Sequence, residues 1–142
     1  MAVAFLDSNV LIAFASRRDE DHGPAREIVG GIDAGELPTA RITNYVLAEV
    51  LNFLHERRGH GTAVDVHERL KQGSEFDLLH ATKADYHRAD DLFATYDTLS
   101  FVDATIVATM ERQDVSYVYG FDDDLDAVDG ITRLDIATNP YA

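Results

Sequence analysis

Asp7 directly follows the apolar run Ala2 to Leu6 and precedes Ser8 and Asn9. Glu49 lies midway between Tyr45 and Phe53, four residues from each, so on a helix it shares an edge with apolar groups. Asp103 lies three and four residues before Ile106 and Val107, facing the same way as they do. Asp122 opens the acidic run Asp122-Asp123-Asp124-Leu125-Asp126. A carboxylate against apolar neighbours is costly unless it is paired, hydrogen-bonded or bound to a cation. Taken singly, each acid has a plain structural role open to it. Asp7 or Ser8 can cap a helix, Glu49 can reach water from a helix boundary, Ser100-x-x-Asp103 matches a capping box, and the Asp run suits a solvated turn. Taken together in one cleft, they repel one another and partly protonate unless a cation neutralises them. Oxygen-only ligands suit Mg²⁺ or Mn²⁺. Such an ion orients a water, lowers its pKa and stabilises the leaving oxygen of an in-line phosphodiester displacement. A calcium loop starting at Asp122 is excluded, because Ala127 stands where the sharp-turn Gly belongs and Arg133 where the bidentate Glu belongs.

Positioning such a cluster needs elements that bring distant residues to one edge. AVAFL is apolar without alternation, as a strand buried on both faces requires. A short helix from Asn9 to about Ala15 follows, then a helix from Pro24 to Ala34 with the proline in its first turn. TARIT reads as a strand, and Thr43 or Asn44 caps a long helix to Arg58. Gly59 and Gly61 interrupt it before a helix from Thr62 to Gln72. FDLLHA is a third strand, Lys83 to Tyr96 a helix, and Ser100 starts another that runs to Gln113. VSYVYGF is the fourth strand and ITRL the fifth. The alternation predicts one α/β domain over residues 1–142, a mainly parallel central sheet of about five strands with helices on both faces. Ligands in such sheets sit outside the carboxyl ends of strands, where Asp7 and Asp122 fall.

Composition sets the outer limits. With 142 residues, 46% hydrophobic and no cysteine, the chain makes a core without disulfides, thiolate zinc or a cysteine nucleophile. Its 26 acids against 12 Lys and Arg give a net charge of -14, and only Lys71 and Lys83 are lysines. That bias fits a surface adapted to high salt, where the Debye length is about 3 Å and net charge barely repels a polyanion. No apolar run reaches the length of a signal or membrane segment, so the expected location is the cytoplasm, with no membrane partner.

The strings FLDSNV, NYVLAEVLNFL, SFVDATIVATM and YGFDDDLDAVDGITRL resemble the four motifs of PIN domains, above all the small single-domain VapC-type toxins. The resemblance spans nearly the whole chain. It implies that Asp7, Glu49, Asp103 and Asp122 are the catalytic and metal-binding residues, holding Mg²⁺ or Mn²⁺, with Ser8 and Asn9 supporting them. Two departures fall at the fourth motif. Gly120 replaces a Thr or Ser common before the last Asp, and Asp123 takes a position often basic, which makes Asp124 a substitute or auxiliary ligand. The implied activity is metal-dependent endoribonuclease cleavage of single-stranded or loop RNA. The implied partners are a small antitoxin protein and a second copy in a homodimer. Two alternatives share the fold: a housekeeping RNA-processing nuclease, and a catalytically silent domain that binds RNA or protein. Cations available for RNA phosphates are Arg17 after the first helix, Arg41 in the second strand and Arg58 at the end of the Glu49 helix. A receiver or haloacid-type hydrolase is disfavoured, because Asn9 stands where a second Asp is required.

Overall fold

The computed structural model describes residues 2–142. Five strands, β1 (Val3–Leu6), β2 (Thr39–Thr43), β3 (Phe76–Leu79), β4 (Tyr117–Tyr119) and β5 (Thr132–Leu134), form one sheet in the order β3-β2-β1-β4-β5. Every neighbouring pair is parallel, so the sheet is wholly rather than mainly parallel. β1 lies at its centre with all four residues buried, which accounts for its unbroken apolar sequence.

Six α-helices connect the strands: α1 (Ser8–Ala15), α2 (His22–Asp33), α3 (Asn44–Arg58), α4 (His60–Gln72), α5 (Lys83–Thr95) and α6 (Phe101–Gln113). The chain moves from β1 outward to β3, then returns past β1 to β4 and β5. Right-handed crossovers therefore place α1 to α4 on one face and α5 with α6 on the other. The direction of winding reverses between β1 and β4. A crevice opens at such a switch point, beyond the carboxyl ends of both strands.

Side-chain caps set the helix starts at that edge. Thr43 accepts from the Val46 amide at 3.2 Å, and Thr82 and Ser100 each complete a reciprocal capping box with Asp85 and Asp103. Helix α6 is buried from Asp103 to Met110, so it runs through the core rather than over it.

Several element ends differ from the sequence reading. α2 begins at His22, leaving Pro24 as its third residue. α4 begins at His60, because Gly59 alone, at φ 96°, makes the turn and Gly61 is simply helical. β3 ends at Leu79, and VSYVYGF contributes only Tyr117–Tyr119 to β4. The run Asp123–Ala127 is a 3-10 helix rather than an open turn.

A partly buried polar contact joins α5 and α6, at the end of α6 away from Asp103. The Asp85 carboxylate accepts from Arg112 Nε at 2.8 Å and Nη2 at 3.0 Å, and from the Thr82 amide at 2.8 Å. Burial pushes this carboxyl up, but the Arg112 and Thr82 hydrogen bonds outweigh it and hold Asp85 below the usual carboxylate range.

Candidate active site at the sheet switch point

Asp7 ends β1 and caps α1. Its amide donates to the Tyr119 carbonyl at 2.9 Å, locking it to the end of β4, and its Oδ1 accepts from the Ser8 amide at 2.8 Å. Asn9 braces both strand ends, donating to Asp7 Oδ2 at 3.5 Å and accepting from the Phe121 amide at 3.1 Å. Gly120 is tight against this carboxylate. A Cβ there would meet Asp7 Cβ at 3.3 Å and Oδ2 at 3.4 Å, so the missing side chain leaves room for the acid.

Helices α3 and α6 start at the same edge from opposite faces and meet above β1. Tyr45 and Phe101, near their N-termini, pack edge to face with centroids 6.4 Å apart. This brings in the next two acids. Glu49, one turn beyond Tyr45, is exposed and accepts a hydrogen bond from Ser8 Oγ. Asp103 is buried, and its Oδ2 accepts from the Ser100 amide at 3.1 Å. The capping-box role and a place in the cluster therefore coexist in one residue, because a carboxylate has lone pairs enough for both.

The fourth corner is shared. Asp122 is exposed just before the 3-10 helix, and Asp124 is half-buried within it. Arg133 shapes the loop: it forks onto Asp126 at 2.9 and 3.0 Å and donates to the Gly120 carbonyl at 3.1 Å. Asp126 is thereby engaged by a cation, unlike Asp122 and Asp124. Sequence reasoning used Arg133 only to reject a calcium loop and missed this clamp.

Charge coupling shows that the acids form one group. Burial, then the charge of Asp103, then those of Glu49 and Asp122, push the Asp7 carboxyl up to about 7, against the opposing Ser8 amide. Asp103 is also raised, first by burial and then by Asp124 and Glu49, against its Ser100 hydrogen bonds. Both effects disfavour the ionised state, as expected for a site made of carboxylates alone. The donor set is all oxygen, which suits a hard divalent ion. As the side chains stand, no three His, Asp or Glu among the described residues are close enough to hold an ion. The acids surround a common space without clasping it.

The cations are distributed differently. Arg58 donates to Ser16 and lies near the end of α1, and Arg17 is exposed just after that helix. Arg41 points elsewhere: it donates to Gln113 at 2.7 Å, at the far end of α6 from Asp103, and lies 3.8 Å from Asp77. These contacts hold Arg41 at the opposite end of α6 from Asp103.

The sequence and fold resemble those of known proteins. The chain is 29% identical over 125 residues, covering 87% of its length and 92% of the relative, to the 23S rRNA-specific endonuclease VapC20 of Mycobacterium tuberculosis. The crystal structure of that organism's VapC20, described as a Sarcin-Ricin loop cleaving toxin, superposes with a TM-score of 0.76 at 27% identity over 89% of this chain and 94% of that one. A toxin-antitoxin complex from Klebsiella pneumoniae shares the fold, with a TM-score of 0.64 at 20% identity, covering 91% of this chain and 95% of the other. No helix among the described residues is long and apolar enough to cross a membrane. With the PIN domain family model matching residues 4–131, from β1 to the loop before β5, the chain belongs to the PIN domain family.

Proposed function

We propose that this protein is a divalent-metal-dependent endoribonuclease, the toxin of a toxin–antitoxin pair. The observation that carries the reading is the convergence of Asp7, Glu49 and Asp103, with Asp122 or Asp124, at the β1–β4 switch point, where Asp7 is forced up to about 7 by burial and its acidic neighbours. The likeness to VapC20 supports RNA as the substrate and a small antitoxin protein as the partner. It favours the toxin over a housekeeping nuclease.

Asp7, Glu49 and Asp103 would hold Mg²⁺ or Mn²⁺, joined by Asp122 or Asp124, and such an ion would supply an activated water and charge stabilisation at the phosphate. The chain's own residues keep the ligands in place. The Ser8 amide orients one Asp7 oxygen, Asn9 the other, and the Ser8 hydroxyl holds Glu49. The capping box fixes Asp103 at the start of a buried helix, so its rotamer is set by the backbone. The resemblance also implies a homodimer. The exposed rings of Tyr86 and Phe93, packed around Phe101, offer an apolar face for it. The reading places the protein in the cytoplasm, where its RNA is.

The test is cleavage of total RNA with Mn²⁺ or Mg²⁺ in molar KCl, alongside EDTA and Asp103→Asn. Discrete fragments from the wild type, absent with EDTA and with the variant, are expected. Cleavage that survives EDTA, or survives Asp103→Asn at the wild-type rate, overturns the assignment. Binding of neither Mn²⁺ nor RNA by the folded wild type, together with no cleavage, moves the weight to a silent protein-binding domain. The toxin reading adds that expression without its antitoxin arrests growth.

A further inference from the structure

Among the described residues half of the 12 Lys and Arg form ion pairs, while Arg17, Arg18, Arg26, Arg57, Arg58 and Lys83 form none. Arg41, Arg69, Lys71, Arg88, Arg112 and Arg133 all form ion pairs. Among the described residues Arg17 and Arg26 form none, and both open onto one concavity of about 780 Å³ between α1, α2 and α4. His22, Arg26 and Gly30 line it at spacings of four along α2, a single stripe of that helix. Gly30 keeps the stripe open, since nothing lies within 4 Å of where its Cβ would be. Opposite, the Arg69 guanidinium stacks on the Phe14 ring at 4.9 Å while its edge contacts Asp33 at 2.6 Å. His22 is fixed by its Nδ1, which donates to the Ala13 carbonyl at 2.9 Å.

The concavity adjoins the acidic crevice. Asp21, which immediately precedes His22 at the start of α2, is close enough to Asp122 for that charge to raise its carboxyl, after burial, Asp19 and Glu20. Along α1 the two places are separated by eight helical residues, a rise of about 12 Å. That separation is within reach of a single strand that occupied the crevice and extended by a few phosphates. Arginine is the side chain whose planar fork matches phosphate oxygens, and two unpaired arginines converge here.

We infer that this concavity is an RNA backbone site, in which Arg17 and Arg26 grip phosphates a few nucleotides from the cleaved bond and the Arg69–Phe14 stack supports a nucleotide there. The inference rests on the ribonuclease reading above, and names where its substrate is held. Long-range attraction is absent from a chain of net charge -14, so substrate capture depends on such direct contacts.

The experiment is fluorescence anisotropy with a labelled single-stranded RNA, in EDTA so that nothing is cleaved, over a series of KCl concentrations. Both arginines are exposed, so Arg17→Ala/Arg26→Ala is expected to melt like the wild type. Its affinity is expected to fall by about thirtyfold. The slope of log affinity against log salt is expected to shrink by about 1.4, at ~0.7 per lost phosphate contact. Arg17→Lys/Arg26→Lys is expected to recover most of the slope, since charge rather than shape sets it. Unchanged affinity and slope in the alanine variant overturn the inference. So does unchanged RNA binding with lost binding of an acidic peptide, which assigns the concavity to a protein partner. If the wild type cleaves RNA while the alanine variant binds as tightly, this inference alone fails. If the wild type neither binds nor cleaves RNA, the ribonuclease reading fails with it.

Discussion

Asp7→Asn is expected to slow RNA cleavage severely and yet stabilise the metal-free protein. The carboxyl is 5% exposed and pushed up to about 7 from an ordinary 3.8. A folded-state value above the unfolded one means that the native protein holds its proton while the unfolded chain has already released it. The penalty is therefore zero below about pH 4, grows as pH rises from 4 to 7, and is complete above 7. A shift of about three units corresponds to ~4 kcal/mol at most. Asparagine removes the charge and retains an oxygen for the Ser8 amide, so about 2–4 kcal/mol is recovered at pH 8. Thermal melts of both proteins in EDTA from pH 4 to pH 8 check this. The curves are expected to coincide at the acid end and diverge toward neutrality, with the variant higher. Parallel curves would mean that Asp7 ionises in the fold without cost, contrary to its burial among acids. Loss of a metal-binding carboxylate is expected to slow cleavage by about 10³-fold, some 4 kcal/mol of transition-state stabilisation. Added Mn²⁺ is expected to raise the melting temperature of the wild type more than that of the variant.

Asp85→Ala is expected to act in the opposite sense. This acid is 2% exposed on its side chain and held by Arg112, the Thr82 amide and the Thr109 hydroxyl. Its removal deletes a helix cap and a forked ion pair in one change. The Arg112 side chain is 39% exposed, so the orphaned charge recovers water and the loss stays near 3 kcal/mol rather than the larger cost of a fully buried partner. In a domain of this size that lowers the melting temperature by about 10 °C. Because Asp85 is held below its ordinary value, its contribution is present above pH 4 and disappears as pH falls through the folded value. The gap between wild type and Asp85→Ala is thus expected to close in acid, while that between wild type and Asp7→Asn opens toward base. Cleavage well below the melting temperature is expected to be unchanged, since the pair lies between α5 and α6 away from the crevice. A variant that melts like the wild type at pH 7 would show the pair to be ornamental.

The two acids look alike in sequence. Each sits at a helix start, yet burial costs one of them its charge and leaves the other ionised. The difference is the company: Asp103, Glu49 and Asp122 surround Asp7, whereas Arg112 reaches Asp85 from the next helix.

Much of the frame was legible because its determinants are local. AVAFL announces a doubly buried strand, Thr43 and Ser100 announce helix starts, and TARIT emerges as β2 with the boundaries read from the sequence. Short-range steric and capping rules act within a few residues, and a sequence displays them directly. The ends that moved, at Pro24, Gly61 and Phe121, are places where a backbone that tolerates two conformations is settled by what packs against it.

Asp7, Glu49, Asp103 and Asp122 were also nominated from the sequence, by residue type and by likeness to a family. What the chain alone could not show is that winding reverses between β1 and β4, which places the acids from α3 and α6 over the same strand end. Nor could it show that Arg41 is drawn toward Gln113, that Arg133 pairs with Asp126, or that Arg17, Arg26 and Arg69 share one concavity. Sequence determines which residues are acidic, apolar or able to cap. Only the tertiary structure brings residues dozens of positions apart within reach of one another's charge, and it is that proximity which decides whether a carboxylate is an ordinary ion, a paired one, or a group ready for a metal.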